Sequence, residues 1–135
     1  MSLVLRDGFV VDGTGGPGRR ADVRVEDGRI AAIGPPGTLD GEQVVDVEGQ
    51  AIAPGFIDAH THDDRAVLAE PDMVPKVSQG VTTVVTGNCG VSLAPLSDIE
   101  PTPPLNLIGS REMFFGSFRE YFEAVRDAPP ALNLS

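Results

Sequence analysis

Hydrophobic and polar residues alternate singly through the first third of the chain, and then the rhythm changes. Val23 and Val25 alternate with Asp22, Arg24 and Glu26, and Asp27-Gly28 leads into Arg29-Ile30-Ala31-Ala32-Ile33. Period-two spacing places one set of side chains on one face of a strand, and Asp-Gly favours a two-residue reversal, so residues 22–33 predict a β-hairpin. Residues 44–47 and 50–53 on either side of Glu48-Gly49 predict a second hairpin. Residues 3–5 and 9–11 predict two further strands flanking an Asp7-Gly8 turn. Residues 1–53 therefore read as a small antiparallel sheet with one face buried and one wet.

Beyond Ala53 the pattern becomes strand, helix, strand. Phe56-Ile57 is a short apolar run that reads as a buried strand, residues 71–79 are helix-compatible and stop at Gly80, and residues 81–86 are rich in β-branched Val and Thr. This is a βαβ unit, which favours parallel strands. Pro95, Pro101, Pro103 and Pro104 make residues 97–110 a loop expected to border a site. Ser117-Phe118-Arg119-Glu120 fits a capping box, and Phe118, Tyr121, Phe122 and Val125 recur at helical spacing as a stripe expected to pack on the core. Pro129-Pro130 ends that helix, and the residues after it look like the start of a third strand.

Composition narrows the class. With 41% hydrophobic and 22% charged residues the chain reads as a soluble globular protein. Its apolar stretches fall far short of the roughly 20 residues that span a bilayer, and no basic-then-apolar leader opens it. Ten Lys and Arg against twenty Asp and Glu give a net charge of −10, which opposes binding to nucleic acid or to an anionic membrane. The one cysteine cannot form an internal disulfide, so a reducing cytoplasmic location is expected, where a lone thiol is more often metal-binding or reactive.

The chemistry concentrates in residues 54–62, Pro-Gly-Phe-Ile-Asp-Ala-His-Thr-His, which hold both histidines. In an extended strand His60 and His62 point one way and Thr61 the other, so two imidazoles can share a cation. Zinc takes imidazole nitrogen at roughly 2.0–2.1 Å and, when catalytic, keeps a position open for water. The competing reading is a pair of solvated polar residues at a strand end. Cys89 lies just past the second strand in Gly87-Asn88-Cys89-Gly90, where the glycines permit a sharp turn and Asn88 tolerates a left-handed conformation. A neighbouring cation would make Cys89 a thiolate ligand; inert packing and a role as nucleophile are the alternatives. Neighbouring parallel strands lie about 4.8 Å apart, close enough for His60, His62 and Cys89 to converge.

Five charged residues lie near these candidate ligands in the sequence or in the next helix. Asp63 and Asp64 are candidates for hydrogen-bonding the histidines, against capping the next helix or facing solvent. Asp58 is expected on the His60 face, lying deeper, as a structural or histidine-bonding carboxylate. Arg65 is the candidate for binding an anionic substrate, against a surface ion pair. Lys76, in mid-helix, is expected in solvent.

The segment resembles the first barrel strand of the amidohydrolase superfamily, whose members carry His-x-His after Pro-Gly-Phe/Leu-Ile-Asp. The likeness continues through Asp63-Asp64-Arg65, through Asp72-Met73-Val74-Pro75-Lys76-Val77-Ser78-Gln79-Gly80 and Val81-Thr82-Thr83-Val84-Val85-Thr86, and into Gly87-Asn88-Cys89-Gly90. This combination resembles the D-aminoacylase, or N-acyl-D-amino-acid deacylase, branch. That branch uses a cysteine in this turn where dihydroorotases, hydantoinases and ureases use a modified lysine from a later strand. The resemblance implies a mixed α and β fold: residues 1–53 as the N-terminal portion of a small antiparallel β-sandwich, and residues 54–135 as the first βα units of a TIM-like (β/α)8 barrel. A closed barrel takes about 250 residues. With 135 residues the chain is expected to be the front of a longer enzyme, its barrel incomplete.

The activity so implied is zinc-dependent hydrolysis of the N-acyl bond of small-molecule N-acyl-D-amino acids, with one or two zinc ions in the full-length enzyme and partial or no occupancy here. The resemblance puts the general-base aspartate, and two further histidines, beyond Ser135. No catalytic residue is thus assigned within this chain, which is expected to be inactive alone. Two other readings stand beside it: an amidohydrolase of the dihydroorotase or hydantoinase type acting on a cyclic amide, and a noncatalytic assembly module that self-associates through its open sheet and aromatic helix face.

Overall fold

One long strand, rather than a pair of hairpins, organises the N-terminal sheet in the computed structural model, which describes residues 1–96 and 100–135. Residues 97–99, the start of the predicted 97–110 loop, lie outside the described residues. The chain divides into two compact units, Met1–Pro54 and Gly55–Ser135.

In the first unit, β1 (Ser2–Val10) lies between β2 (Arg19–Glu26) on one side and β4 (Gln43–Asp46) with β5 (Ala51–Ile52) on the other, and β3 (Arg29–Gly34) adds outside β2. The Asp27-Gly28 hairpin joins β2 and β3 as the alternation requires. The other two expected reversals do not form. Asp7 takes a left-handed φ of 58°, and the pairing of β1 with β2 shifts register between Leu5 and Gly8, so Asp7-Gly8 is absorbed as a bulge within one strand. Likewise β4 and β5 do not pair with each other but lie in succession along the same edge of β1, both parallel to it. Glu48-Gly49 makes only a jog there, its Gly49 N–H donating to the Asp7 carbonyl at 2.8 Å. The sheet is therefore mixed, not antiparallel.

Val10, Ala21 and Val23 form the buried centre of one face, with Leu5, Val25 and Ile52 around them. On the other face Asp22 is fully buried and accepts N–H bonds from Asp7 at 2.9 Å, Gly37 at 2.8 Å and Leu39 at 3.4 Å. Burial by itself raises a carboxyl pKa, but these three donors and the nearby Arg6 charge outweigh it and hold Asp22 below its ordinary value.

In the second unit, β6 (Phe56–Thr61), β7 (Val81–Thr86) and β8 (Asn133–Leu134) form a three-stranded sheet in that order, parallel throughout. The helix expected over residues 71–79 is reduced to a single turn, α2 (Val74–Val77), and another single turn, α1 (Ala66–Ala69), precedes that range. Pro71 and the left-handed Met73 (φ 45°) between them prevent one continuous helix. The proline-rich stretch carries two short 3-10 turns, Leu105–Leu107 and Arg111–Met113, where an irregular loop was expected.

Helix α3 (Phe118–Asp127) starts at a complete capping box: the Glu120 N–H donates to Ser117 Oγ at 3.3 Å, and the Ser117 N–H donates to Glu120 Oε2 at 3.0 Å. Val67, Met73, Val84, Leu93, Phe114 and Tyr121 are central to the core, and Val125 packs against it. The aromatic stripe is split, because Phe118 and Phe122 remain 52% and 47% exposed. The β6 run is not buried either: Phe56 and Ile57 are 63% and 65% exposed, since β6 has only β7 beside it among the described strands. Among the described residues no helix is long and apolar enough to cross a membrane.

Candidate metal centre

The C-terminal ends of β6 and β7 bring the histidine pair and the glycine-bounded turn together. His60 and His62 are both exposed, with ring centroids 5.8 Å apart, while Thr61 between them is buried, as strand alternation requires. The turn after β7 is closed by the Gly90 N–H donating to the Gly87 carbonyl at 3.0 Å, with both glycines at positive φ. It places Cys89 Sγ 3.7 Å from His62 Nε2. One donor atom from each of His60, His62 and Cys89 can be chosen so that all lie within 4.8 Å of one another. Sulfur and nitrogen at about 2.3 and 2.0–2.1 Å from a tetrahedral zinc stand about 3.6 Å apart, so the thiol and imidazole already have the separation a shared ion needs. Two imidazoles and a thiol form a donor set that suits zinc among the divalent cations.

Asn88 does not use its tolerance of left-handed backbone, and only glycines of this turn are at positive φ. Instead its side-chain N–H donates to the Ala59 carbonyl at 2.7 Å, tying the turn to the residue before His60. This cross-link was not legible in the sequence, because the chain separation is long and asparagine in a glycine turn reads as a local conformational choice.

The carboxylates depart from expectation. Lys76 is not solvated: its ammonium lies between Asp58 Oδ2 at 2.5 Å and Asp63 Oδ2 at 2.9 Å, and donates to Thr61 Oγ1 at 3.2 Å. Donation to the carboxylates of Asp58 and Asp63 raises the Lys76 pKa against the opposing effect of burial, and accepting from Lys76, and from the His60 N–H, lowers that of Asp58. Strict alternation would set Asp58 and Thr61 on opposite faces. A register shift between them, where β6 carries an extra residue against β7, lets both reach Lys76. Asp58 is therefore paired with the α2 lysine and not given to the histidine face.

Neither Asp63 nor Asp64 caps α1 with its side chain, and neither is bonded to an imidazole among the described residues. Asp64 is wholly buried and accepts a hydrogen bond from Ser92 Oγ at 2.9 Å, while the Tyr121 hydroxyl donates to its backbone carbonyl at 3.0 Å. Burial, reinforced by the Asp64 charge, pushes the Tyr121 hydroxyl well above its ordinary pKa. Arg65 makes no ion pair among the described residues, and with His62, Ala66, Leu107 and Ile108 it lines a depression. The 3-10 segment thus borders the site, as the prolines led one to expect.

Residues 43–112 match the family described as "Amidohydrolase family". An N-acyl-D-aspartate deacylase of Alcaligenes xylosoxydans xylosoxydans is 51% identical over 133 residues, 98% of this chain and 27% of that protein. A D-aminoacylase structure concerned with its binuclear metal centre is 52% identical, with a TM-score of 0.90 over 98% of this chain and 28% of its own. An N-acyl-D-glutamate deacylase from Bordetella bronchiseptica, solved with zinc and a phosphonate inhibitor, is 44% identical with a TM-score of 0.84 over the same shares. The chain spans about a quarter of the length of these relatives.

Proposed function

The chain belongs to the amidohydrolase family, and from that premise we propose that it supplies the metal-binding front of an enzyme that hydrolyses the N-acyl bond of N-acyl-D-amino acids. The observation that carries this reading is the convergence of His60, His62 and Cys89 at the ends of two parallel strands, with the thiol contributed by a Gly-Asn-Cys-Gly turn. Relatives that match nearly the whole chain and bear deacylase names support it.

His60 and His62 would hold zinc as neutral imidazoles and Cys89 as a thiolate. Bound there, the ion supplies Lewis-acid polarisation of the acyl carbonyl and lowers the pKa of a coordinated water toward about 7. Arg65 faces the same depression as His62, has no carboxylate partner among the described residues, and would receive the anionic group of the substrate. Lys76 fixes the strand that carries both histidines by bridging Asp58 and Asp63. In this reading residues 1–53 are the N-terminal portion of a β-sandwich and residues 54–135 the first βα units of a TIM-like barrel, the whole working in the cytoplasm. The general base in this reading is an aspartate from a part of the enzyme outside this chain, as the resemblance to the deacylase branch implies.

The test is to measure zinc in the intact protein and to assay release of D-amino acids from N-acetyl derivatives with acidic and neutral side chains, beside hydantoin and dihydroorotate. N-acyl hydrolysis that disappears together with zinc in His60→Ala and Cys89→Ala is the expected result. Turnover confined to the cyclic amides would sink the proposal.

A further inference from the structure

We propose that Asp64 is a positioning residue for the Cys89 thiol, acting through Ser92, with Asn88 holding the same turn from its other side. The proposal rests on the metal-site reading of His60, His62 and Cys89.

Asp64 is 0% exposed, yet its Oδ1 receives only the Ser92 hydroxyl and its Oδ2 has no hydrogen-bond partner among the described residues. A buried carboxylate with one neutral donor is costly, and an apolar side chain would fill the position more cheaply. Its location gives the cost a purpose. Asp64 follows His62 by two residues and Ser92 follows Cys89 by three, so one hydrogen bond joins the segments just beyond two ligands. The backbone of Asp64 is itself fixed by the hydroxyl of Tyr121, from the core-facing side of α3.

Ser92 also closes on the start of the turn, since a Cβ at Gly87 would meet its Cβ at 3.4 Å. On the far side Asn88 donates to the Ala59 carbonyl, immediately before His60. Glycine at both ends of the turn leaves it with much conformational freedom, and ordering that backbone costs entropy. Two anchors, one to each side of the histidine pair, hold the exposed thiol 3.7 Å from His62 Nε2.

A titration of the full chain with Co(II) alone tests this, followed by the near-ultraviolet cobalt–thiolate charge-transfer band, with apo melting measured in parallel. Ser92→Ala and Asn88→Ala should each weaken cobalt affinity by about tenfold or more and diminish the band per bound ion. Asp64→Asn, which keeps an acceptor for Ser92, should retain the band, and Cys89→Ser should abolish it. Asp64→Leu, which fills the buried position without an acceptor for Ser92, should fold and diminish the band as Ser92→Ala does, so it decides the Asp64 role if Ser92→Ala does not fold. Asn88 is exposed, so its truncation leaves the core intact and tests the second anchor by itself. Wild-type affinity and a full band in Ser92→Ala and Asn88→Ala would overturn the positioning role while leaving the metal site standing. Cobalt binding by the wild type without a thiolate band would overturn both.

Discussion

Single side chains in this protein do more than their local sequence advertises. Asp22 sits between Ala21 and Val23 as one polar position of an alternating strand, yet it gathers N–H donors from the β1 bulge and from the loop after β3. An amide at that position turns an acceptor into a donor facing N–H groups, so Asp22→Asn should cost on the order of 3 kcal/mol, read by urea unfolding. Because the folded-state pKa of Asp22 is depressed, its contribution is fully present above the ordinary carboxyl value near 3.9 and is lost as pH falls through the folded value. The wild type should therefore lose stability below about pH 4 more steeply than Asp22→Asn, and equal slopes would count against the network. Arg65 makes a kinetic prediction at the same scale. If it binds the substrate anion without touching the reacting bond, Arg65→Met raises KM roughly tenfold with kcat little changed. A loss confined to kcat would place it elsewhere.

At the scale of elements, the termini and crossings decide which pattern survives. Helix α3 begins where Ser117 and Glu120 satisfy each other's backbone donors, so Ser117→Ala should lower stability by about 1 kcal/mol, visible as a lower thermal midpoint. An unchanged midpoint would mean that the helix is held by Tyr121 packing alone. Strands β6 and β7 meet closely at Gly55, where a Cβ would overlap the Thr82 side chain. Gly55→Ala should thus cost about 1–3 kcal/mol, and the double variant Gly55→Ala/Thr82→Ala should recover most of it. The short α1 and α2 show the opposite lesson. Residues 71–79 have helical composition, but the left-handed Met73 confines the helix to one turn, and that turn delivers Lys76 to Asp58 and Asp63.

At the scale of the whole molecule, much apolar surface stays open: Phe56 and Ile57 on β6, Phe118 and Phe122 on α3, and Ile30, Val44 and Val45 in the N-terminal sheet. Exposed patches of this kind drive association, so light scattering of the 135-residue chain should show concentration-dependent self-association, and N-acyl hydrolysis by it alone should stay at background. A monodisperse monomer with deacylase activity would refute both expectations. The sequence by itself determined the hairpin at Asp27-Gly28, the capping box of α3, the parallel βαβ unit and the grouping of His60, His62 and Cys89 at the ends of its two strands, because each depends on spacing within a strand, a turn or a helix start. Only the tertiary structure decided the rest. Whether Asp7-Gly8 reverses the chain or bulges depends on the carboxylate of Asp22, which lies beneath it. Whether β4 and β5 pair with each other or with β1 depends on which edge is free. Whether Lys76, Asp64, Ser92 and Asn88 are solvated or brace the segments carrying His60, His62 and Cys89 depends on partners far enough along the chain that periodicity carries no information.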